Sequence, residues 1–225
     1  MTKPASQGDA AMNCKVLLAD DHGIVREGLK ALLRPQKWLE VVGEVGDGRE
    51  LLTRTSAECP DVVVMDIAMP NLNGIEATAQ LAVHCPQTRV IMLSVYSTAE
   101  HVYRSFRAGA CGYLLKETAG KEILDAIRAV LSNRYYLSAK IRDAYPDILS
   151  GLTRFKSPLE SLSGREKEIL QLVVEGRTSA EIAARLALSP KTVETYRSRL
   201  MQKLGVGDIT ALVKFAIQHG LTTLS

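Results

Sequence analysis

The sequence predicts a doubly wound α/β domain with a five-stranded parallel sheet, followed by an all-α domain of four helices. Within residues 15–131, short apolar segments rich in Val, Leu and Ile alternate five times with amphipathic segments. This alternation is typical of parallel sheets that are covered by helices on both faces. After Pro158, apolar residues recur only with helical spacing, which favours a second domain without strands.

The five predicted strands are short and almost entirely apolar, as strands buried on both faces of a sheet are. They cover residues 15–19, 40–45, 62–65, 89–93 and 112–115. Helices are predicted after them, over residues 24–33, 48–58, 74–83, 99–108 and 121–131. Asp47 precedes the second helix as a candidate N-cap. Short connections between these units favour the doubly wound arrangement.

The domain boundaries are predicted where these patterns change. Residues 1–13 are small and polar without an apolar signal segment, which indicates a disordered leader. The α/β domain covers residues 14–134, a linker with one short helix after Ser138 covers residues 135–158, and the helical domain covers residues 159–225. Because no apolar run is long enough to span a bilayer, we expect a cytoplasmic chain with no membrane partner.

Charge and cysteine content narrow the classes of function. Residues 1–150 carry 17 Lys and Arg against 18 Asp and Glu, whereas residues 151–225 carry 11 against 7. The basic excess in the C-terminal part indicates a polyanionic partner.

None of the cysteines forms a Cys-x-x-Cys pair or stands at metal-ligand spacing from a histidine. We therefore expect four reduced, mostly buried thiols: Cys14, Cys59, Cys85 and Cys111.

Polar side chains follow four of the predicted strands at their carboxyl ends. Asp20 and Asp21 follow the first strand, and Asp66, Ser94 and Lys116 follow the third, fourth and fifth. Ligands of parallel sheets bind at this edge. Three neighbouring carboxylates would raise one another's pKa unless a cation joins them, and hard oxygen ligands with open positions favour Mg²⁺. Asp66 could then attack a phosphoryl group while Lys116 offsets the developing charge.

Each of these residues taken alone is expected to be an ordinary strand-end or helix-start residue, and it is their combination that favours a site. The histidines give no comparable signal. They are dispersed without a partner at ligand spacing, so no role is assigned to them: His22, His84, His101 and His219.

The C-terminal helices contain a helix-turn-helix pattern, with helices over residues 179–186 and 190–204 around a three-residue turn. Ser163 and Glu166 predict a capping box before the first helix of this domain, and Asp208 is expected to cap a last helix that ends at Gly220. In the long helix, Val193 and Leu200 are expected to face the core. The opposite face and its flanks carry side chains that contact phosphates and base edges in other proteins. A solvated face would carry them too, so this pattern alone leaves both interpretations open.

These candidates divide into two groups. The candidate base-reading residues are Glu194, Thr195 and Ser198. The candidate phosphate-contacting residues are Lys191, Thr192, Arg197, Arg199 and Lys203. Arg197 borders the core stripe and is an alternative partner for an acidic residue of its own domain.

The acidic residues stand in strings that resemble a CheY-like receiver domain over roughly residues 14–133. The strings are Asp20-Asp21 after KVLLA, Asp66-Ile67-Ala68-Met69-Pro70 with Gly74 further on, Ser94, and Gly112-Tyr113-Leu114-Leu115-Lys116. The resemblance implies that Asp66 accepts a phosphoryl group from a sensor histidine kinase. It also implies that Asp21, Asp66 and the Ala68 carbonyl hold Mg²⁺, with Asp20 acting partly through water. Ser94 and Lys116 would contact the phosphoryl oxygens, and Tyr113 would follow Ser94 as a switch residue.

Residues 162–166, 176–183, 188–194 and 203–206 resemble the LuxR-type helix-turn-helix domain, over about residues 159–221. Tyr196 stands where that domain usually has a histidine. A receiver followed by this domain resembles the NarL/FixJ class of response regulators, which implies that the chain binds double-stranded promoter DNA. One recognition helix reads too few base pairs to select a site in a genome, so we expect a homodimer when the chain is phosphorylated.

Three alternatives fit the sequence less well. A phosphatase of the haloacid dehalogenase type needs an acid two residues after its nucleophile, where this chain has Ala68. A quorum-sensing regulator would carry a small-molecule pocket in place of the acidic cluster. A regulator independent of phosphorylation has no need of Asp66, Ser94 and Lys116 together. We therefore expect a transcription regulator that is not an enzyme beyond catalysing its own phosphorylation and dephosphorylation.

Overall fold

The computed structural model describes residues 13–149, 157–219 and 221. The predicted leader at residues 1–13 lies outside the described residues, apart from Asn13. Residues 150–156 of the predicted linker, together with residues 220 and 222–225 of the predicted C-terminal domain, also lie outside them.

The first part of the chain is an all-parallel sheet of six strands in the order β2-β1-β3-β4-β5-β6. The strands are β1 Cys14–Ala19, β2 Leu39–Val45, β3 Val62–Asp66, β4 Arg89–Ser94, β5 Gly112–Leu115 and β6 Tyr136–Leu137. The helices are α1 Gly23–Leu33, α2 Gly48–Thr55, α3 Gly74–His84, α4 Ala99–Arg107, α5 Ala119–Leu131 and α6 Ala139–Ala144. The predicted doubly wound α/β fold is confirmed, but the predicted count of five strands is wrong.

The sixth strand lies in the segment that was predicted to be a linker. Tyr136 and Leu137 pair with β5, and the Ser138 amide donates to the Tyr113 carbonyl over 2.9 Å. The short helix α6 follows as predicted and buries Ile141 against the sheet. Two residues are too few to show a strand periodicity, which is why the sequence pattern indicated only the helix.

Two apolar layers cover the sheet, one on each face. Leu17 and Val63 belong to the layer that includes side chains of α2, α3 and α4, and Val16 and Val64 belong to the layer that includes α1 and α5. Successive strand residues therefore point to opposite faces, and both faces are buried. This explains why the strands appear in the sequence as unbroken apolar runs.

The C-terminal part contains a short 3-10 helix, Pro158–Ser161, and four α-helices around a third apolar core. They are α7 Gly164–Val174, α8 Ser179–Leu186, α9 Pro190–Leu204 and α10 Ile209–Gln218. The capping box of Ser163 and Glu166 is present at the start of α7. Ala187 ends α8 in the left-handed conformation with φ 53°, so the chain turns into α9 as the helix-turn-helix pattern predicts. The predicted four-helix domain is confirmed.

The two parts of the chain contact each other along α7 and at the end of α10. Lys167 on α7 forms an ion pair of 3.0 Å with Glu76 on α3. His219, directly after α10, lies 2.7 Å from a carboxylate oxygen of Glu100 on α4. Arg104, also on α4, donates to the His219 carbonyl over 2.6 Å. We call this contact region the interdomain seam.

Two of the cysteines differ from the expectation. Cys59 and Cys85 form a disulfide with their Cα atoms 5.7 Å apart, before β3 and before β4 respectively. The prediction of four reduced thiols is therefore wrong for Cys59 and Cys85. These cysteines are 26 residues apart, and that spacing gives no signal of pairing. Cys14 is buried and Cys111 is partly exposed, and both are free thiols. Among the helices of the described segments, none has the length and apolar character needed to cross a membrane.

Candidate functional site

The acidic residues predicted from the strand ends lie together at the carboxyl edge of the sheet. Lys116 Nζ lies 2.8 Å from Asp66 Oδ2 and 2.8 Å from Asp20 Oδ2, so one ammonium group joins two carboxylates. Asp20 and Asp66 are buried, whereas Asp21 is exposed beside them. One ammonium balances one of the three negative charges, and the remainder favours a further cation.

Burial and neighbouring charges determine the protonation of this cluster. Burial raises the pKa of Asp66 to about 6. Lys116 lowers this pKa, but its effect is smaller than the combined effect of burial and of the Asp20 and Asp21 carboxylates, which raise it. Burial alone would lower the pKa of Lys116, but the carboxylates of Asp66 and Asp20 outweigh burial and the pKa is raised. Lys116 is therefore charged at neutral pH, and most of the Asp66 population is an anion there.

The donor set of this edge fits a divalent cation. Ligand atoms of Asp20, Asp21, His22 and Asp66 lie within 4.8 Å of one another. Asp20 Oδ2 is buried and shares the ammonium group of Lys116 with Asp66, so its negative charge is only partly balanced. Carboxylate oxygens with unsatisfied negative charge are the ligands that Mg²⁺ prefers.

His22 belongs to this cluster, although no role was assigned to it from the sequence. Its Nδ1 lies 2.7 Å from Asp21 Oδ1 and 3.2 Å from Asp20 Oδ1. Its amide donates to Asp20 Oδ1 over 2.8 Å and so orients that carboxylate. Its position directly after the Asp20-Asp21 pair was the available signal.

The loop between β3 and α3 follows Asp66 and includes Ala68. Gly74, at the end of the loop, packs so close to Asp66 that a Cβ atom there would lie 2.0 Å from the Asp66 carbonyl oxygen. The Gly74 amide donates to the Ile67 carbonyl over 2.9 Å and closes the loop. The loop therefore begins and ends beside Asp66, and Ala68 stands in it two positions after Asp66.

Ser94 and Tyr113 lie on neighbouring strands beside Asp66 and are both buried. Ser94 Oγ accepts a hydrogen bond of 3.0 Å from the Tyr96 amide, and the Tyr113 hydroxyl donates to the Tyr96 carbonyl over 2.8 Å. The Tyr96 ring stacks on His101 of α4, with ring centres 4.3 Å apart. The strand end beside Asp66 is thus connected by direct contacts to α4.

The candidate nucleic-acid residues lie on α9, as the sequence predicted. Val193 and Leu200 are buried in the C-terminal core. Thr192 and Arg197 are partly exposed. The other candidates are exposed: Lys191, Glu194, Thr195, Ser198, Arg199 and Lys203. The exposed face of α9 lies apart from the contacts that define the interdomain seam.

Several of these candidates also contact residues of their own domain. Arg197 Nη1 donates to Ser179 Oγ over 3.0 Å and lies 3.3 Å from Glu194 Oε1. Pairing with an acidic residue of its own domain was the alternative role considered for Arg197, because it borders the core stripe. Lys203 Nζ forms an ion pair of 2.7 Å with Glu166, the capping-box residue of α7. Lys203 therefore lies on the exposed face of α9 and also stabilises its own domain through this ion pair.

Sequence reasoning missed the polar residues of the interdomain seam. Gln171 and Glu175 of α7 bond to the loop between β3 and α3, at separations of 98 and 104 residues. In the sequence both residues are ordinary positions on an amphipathic helix. The sequence contained no signal for these contacts, because the burial of Gln171 is visible only in the structure.

Two family models match the chain. The model described as the response regulator receiver domain matches residues 16–128, and the model described as bacterial regulatory proteins of the luxR family matches residues 160–216. The response regulator UvrY of Escherichia coli O6:H1 is 38% identical over 206 residues, covering 92% of this chain and 94% of UvrY.

Solved structures show the same similarity. A structure of the RcsB response regulator of Salmonella typhimurium, concerned with conformational dynamism for DNA interaction, has 27% identity and a TM-score of 0.63 and covers 94% of this chain and 99% of RcsB. A structure of the RcsB–DNA complex has 26% identity and a TM-score of 0.56 and covers 92% of this chain and 98% of that chain.

Proposed function

The chain belongs to the response regulators that join a receiver domain to a LuxR-type DNA-binding domain, and we propose that it is a transcription regulator switched by phosphorylation of Asp66 by a sensor histidine kinase. The observation that carries this proposal is the contact of Lys116 with both Asp66 and Asp20 at the carboxyl edge of the sheet. A buried carboxylate beside one ammonium and two further carboxylates suits phosphoryl transfer better than a structural ion pair.

Asp66 is the proposed nucleophile. One of its carboxylate oxygens attacks the phosphorus of a phosphohistidine, the P–O bond forms as the P–N bond breaks, and the electron pair of that bond stays on the imidazole nitrogen. Lys116 holds a positive charge against the oxygens that gain negative charge. Ser94 directly follows Leu93, the residue of β4 that pairs with Asp66 on β3, and its hydroxyl is the proposed donor to the phosphoryl group.

The same edge would hold Mg²⁺ through the carboxylates of Asp21 and Asp66 and the Ala68 carbonyl, with Asp20 acting partly through water. Bound there, the ion supplies charge neutralisation at the phosphoryl oxygens. Asp20 orients Lys116 through their contact, and the His22 amide orients Asp20 in turn. His22 is expected to leave the carboxylates when the ion binds, because its Nδ1 lies against the Asp20 and Asp21 oxygens that face the ion.

Phosphorylation is proposed to act on the rest of the molecule through Ser94 and Tyr113. A phosphoryl group adds about −1.5 to −2 charges and three acceptor oxygens. If Ser94 turns toward it, the Tyr96 amide loses its acceptor, and Tyr113 can follow into the space that Ser94 leaves. Tyr96 stacks on His101 of α4, so this change reaches a helix of the interdomain seam.

DNA binding is proposed for the exposed face of α9. Helix-turn-helix proteins place this helix in the major groove, where Glu194, Thr195 and Ser198 would reach base edges. The phosphate contacts would come from the basic residues and Thr192 at the flanks: Lys191, Thr192, Arg197, Arg199 and Lys203. The related response regulator RcsB has been solved in complex with DNA, which supports the proposal.

A homodimer is the proposed active form on DNA, because two recognition helices are needed to select a site in a genome. The helix α10 offers an apolar stripe for pairing. Leu212 and Ala216 pack into the core of their own domain, whereas Ile209 is 44% exposed and Val213 and Ile217 are partly exposed at the same helical spacing. Ile209, Val213 and Ile217 therefore form the part of α10 that can pair across subunits.

The regulator is proposed to act in the cytoplasm, where promoter DNA and the kinase domain of a sensor are accessible. It is proposed not to be an enzyme beyond its own phosphorylation and dephosphorylation. The residue two positions after Asp66 is Ala68, which cannot protonate a leaving group as an aspartyl phosphatase requires.

The proposal is tested by phosphorylation of Asp66→Asn. We expect the wild-type chain to take up one base-labile phosphoryl group from a small phosphodonor in the presence of Mg²⁺, and to change its DNA affinity as a result. Asp66→Asn should take up none, whereas Asp125→Asn, an exposed carboxylate of α5, should behave as wild type. Label that persists in Asp66→Asn would contradict the proposal.

A further inference from the structure

Gln171 is a completely buried polar side chain of α7, and it faces the sheet domain rather than the core of its own domain. Its Nε2 donates to the Met69 carbonyl over 2.8 Å and to Glu175 Oε1 over 2.9 Å. Its Oε1 accepts from the Asn73 amide over 2.8 Å and from Asn73 Nδ2 over 3.0 Å. A carboxamide has two N–H groups and two lone pairs, so all four of its hydrogen-bonding positions are used.

Glu175, one turn further along, adds a second contact to the same loop. Its Oε1 accepts a hydrogen bond of 2.9 Å from the Asn71 amide. Asn71 has a left-handed backbone with φ 67°, which asparagine adopts more readily than most residues other than glycine. Within the described residues, the Met69 carbonyl and the Asn71 and Asn73 amides thus have α7 side chains as their partners. Buried backbone groups without a partner lose their hydration uncompensated, so the loop conformation depends on these side chains.

The other end of this loop is fixed by the sheet domain. The Ile67 amide donates to the Leu93 carbonyl over 3.3 Å, and the Ile67 carbonyl accepts from Gly74. Ala68 lies between Ile67, which the sheet holds, and Met69, which Gln171 holds. The direction of the Ala68 carbonyl is therefore set from both sides, one of them in the other domain.

We propose that Gln171 is a positioning residue of the phosphorylation site: it holds the loop so that the Ala68 carbonyl is preorganised for Mg²⁺. This rests on the proposed function of that site. A ligand loop that is already ordered loses less conformational entropy on binding. Coupling of this kind is reciprocal, so Mg²⁺ at the acidic cluster stabilises the docking of α7 on the loop by the same factor. The DNA-binding domain thereby completes the metal site of the receiver.

The test is a calorimetric titration of the full chain with Mg²⁺, without a phosphodonor. Partners that orient metal ligands typically contribute about 10–100-fold in affinity, and we expect Gln171→Leu to weaken Mg²⁺ binding about ten-fold. In phosphorylation by a small donor, the Mg²⁺ concentration for half-maximal rate should rise by the same factor. The rate at saturating Mg²⁺ should stay within about two-fold of wild type, because Asp66 and Lys116 are untouched. A variant that was merely unstable would lose rate at all Mg²⁺ concentrations.

Lys167→Ala is the matched control. Lys167 lies one turn before Gln171 on α7 and contacts α3 through Glu76, not the loop. It should leave the Mg²⁺ affinity within about two-fold of wild type. Asn73→Ser keeps a side-chain oxygen that can cap α3 and loses the Nδ2 donor to Gln171, so a smaller loss of Mg²⁺ affinity is expected. Faster hydrogen exchange of the Asn71 and Asn73 amides in Gln171→Leu would show that the loop has been released.

Unchanged Mg²⁺ affinity in Gln171→Leu would overturn this inference, and so would tighter binding, which would mean that docking restrains the site. An equal loss in Lys167→Ala would assign the effect to docking in general and overturn the role of Gln171. These outcomes differ from failure of the proposed function, in which the wild-type chain itself would bind no Mg²⁺ and take up no phosphoryl group.

Discussion

Replacing Glu100 by glutamine should open the interdomain seam. Glu100 Oε1 accepts from Ser157 Oγ over 2.7 Å and lies 2.7 Å from His219 Nδ1, so one oxygen joins α4 to both ends of the C-terminal part. The side chains of Glu100 and His219 are 18% and 15% exposed, and water therefore screens this contact only in part. Glutamine keeps the oxygen but removes the charge that strengthens both bonds.

The size of the effect follows from the strength of these two bonds. Hydrogen bonds to a charged group contribute about 1.5–3 kcal/mol and neutral ones about 1 kcal/mol, so two bonds lose roughly 2 kcal/mol together. A loss of about 2 kcal/mol shifts the docking equilibrium roughly 30-fold toward the open form. The Asn71 and Asn73 amides bond to α7 only while the domains are docked, so their exchange with solvent measures this equilibrium.

Hydrogen exchange of Asn71 and Asn73 is therefore the assay, and we expect about 30-fold faster exchange in Glu100→Gln than in wild type. Glu117→Gln is the control, because Glu117 is a 60% exposed carboxylate that pairs with Lys140 away from the seam. If exchange in Glu100→Gln stays within about two-fold of wild type, the Glu100 contacts do not hold the seam and the reasoning is wrong.

The same contact predicts a dependence of docking on pH. Burial would raise the pKa of Glu100, but the hydrogen bonds from His219 and Ser157 outweigh it and the pKa is lowered. A carboxylate whose pKa is lowered in the docked form contributes to docking above its ordinary pKa, and this contribution is lost as the pH falls through the lowered value. The protection of the loop amides, measured against the intrinsic exchange rate at each pH, should accordingly fall in acid in wild type and change less in Glu100→Gln.

Three further predictions concern the separate domains. The pKa of metal-free Asp66 is raised to about 6, so the contribution of this residue to folding stability decreases as the pH rises from about 4 through 6. Urea unfolding should therefore show Asp66→Asn to be more stable than wild type at pH 7. Below pH 4 the two proteins should be equally stable. Gly74→Ala should lower the free energy of unfolding by about 1–3 kcal/mol through the clash with the Asp66 carbonyl, whereas Gly164→Ala, with open space around it, should not. Arg199→Ala should reduce the salt dependence of DNA binding by about one unit of slope and leave unfolding unchanged, whereas Lys203→Ala should also destabilise its domain through the lost ion pair with α7. Equal unfolding midpoints for these two variants would contradict that last distinction.

The sequence predicted the parts of the molecule that depend on local pattern. Asp20, Asp66 and Lys116 could be placed at one edge because parallel strands share a direction and each residue directly follows an apolar run. The α9 face could be assigned because Val193 and Leu200 repeat with helical spacing. Helix ends were predicted to within a few residues where caps such as Asp47 and Ser163 stand.

Contacts between distant residues could not be predicted in this way. Gln171 meets Asn73 across 98 residues, and nothing in the helical pattern of α7 distinguishes a buried polar partner from a solvated one. The disulfide of Cys59 and Cys85 depends on how the ends of α2 and α3 approach, which spacing does not reveal. The strand β6 has two residues and exists because β5 offers an edge to pair with.

The exposed face of α9 has a consequence for how such a regulator finds its promoters. The face remains open while α7 is docked on the receiver, so a chain that has received no signal would keep its electrostatic attraction for any stretch of duplex. A pool of molecules already travelling along the chromosome would begin its search within reach of many sites rather than in free solution. The delay between a stimulus and transcription would then depend on the pairing of molecules that are already on DNA, and less on the time each needs to reach it.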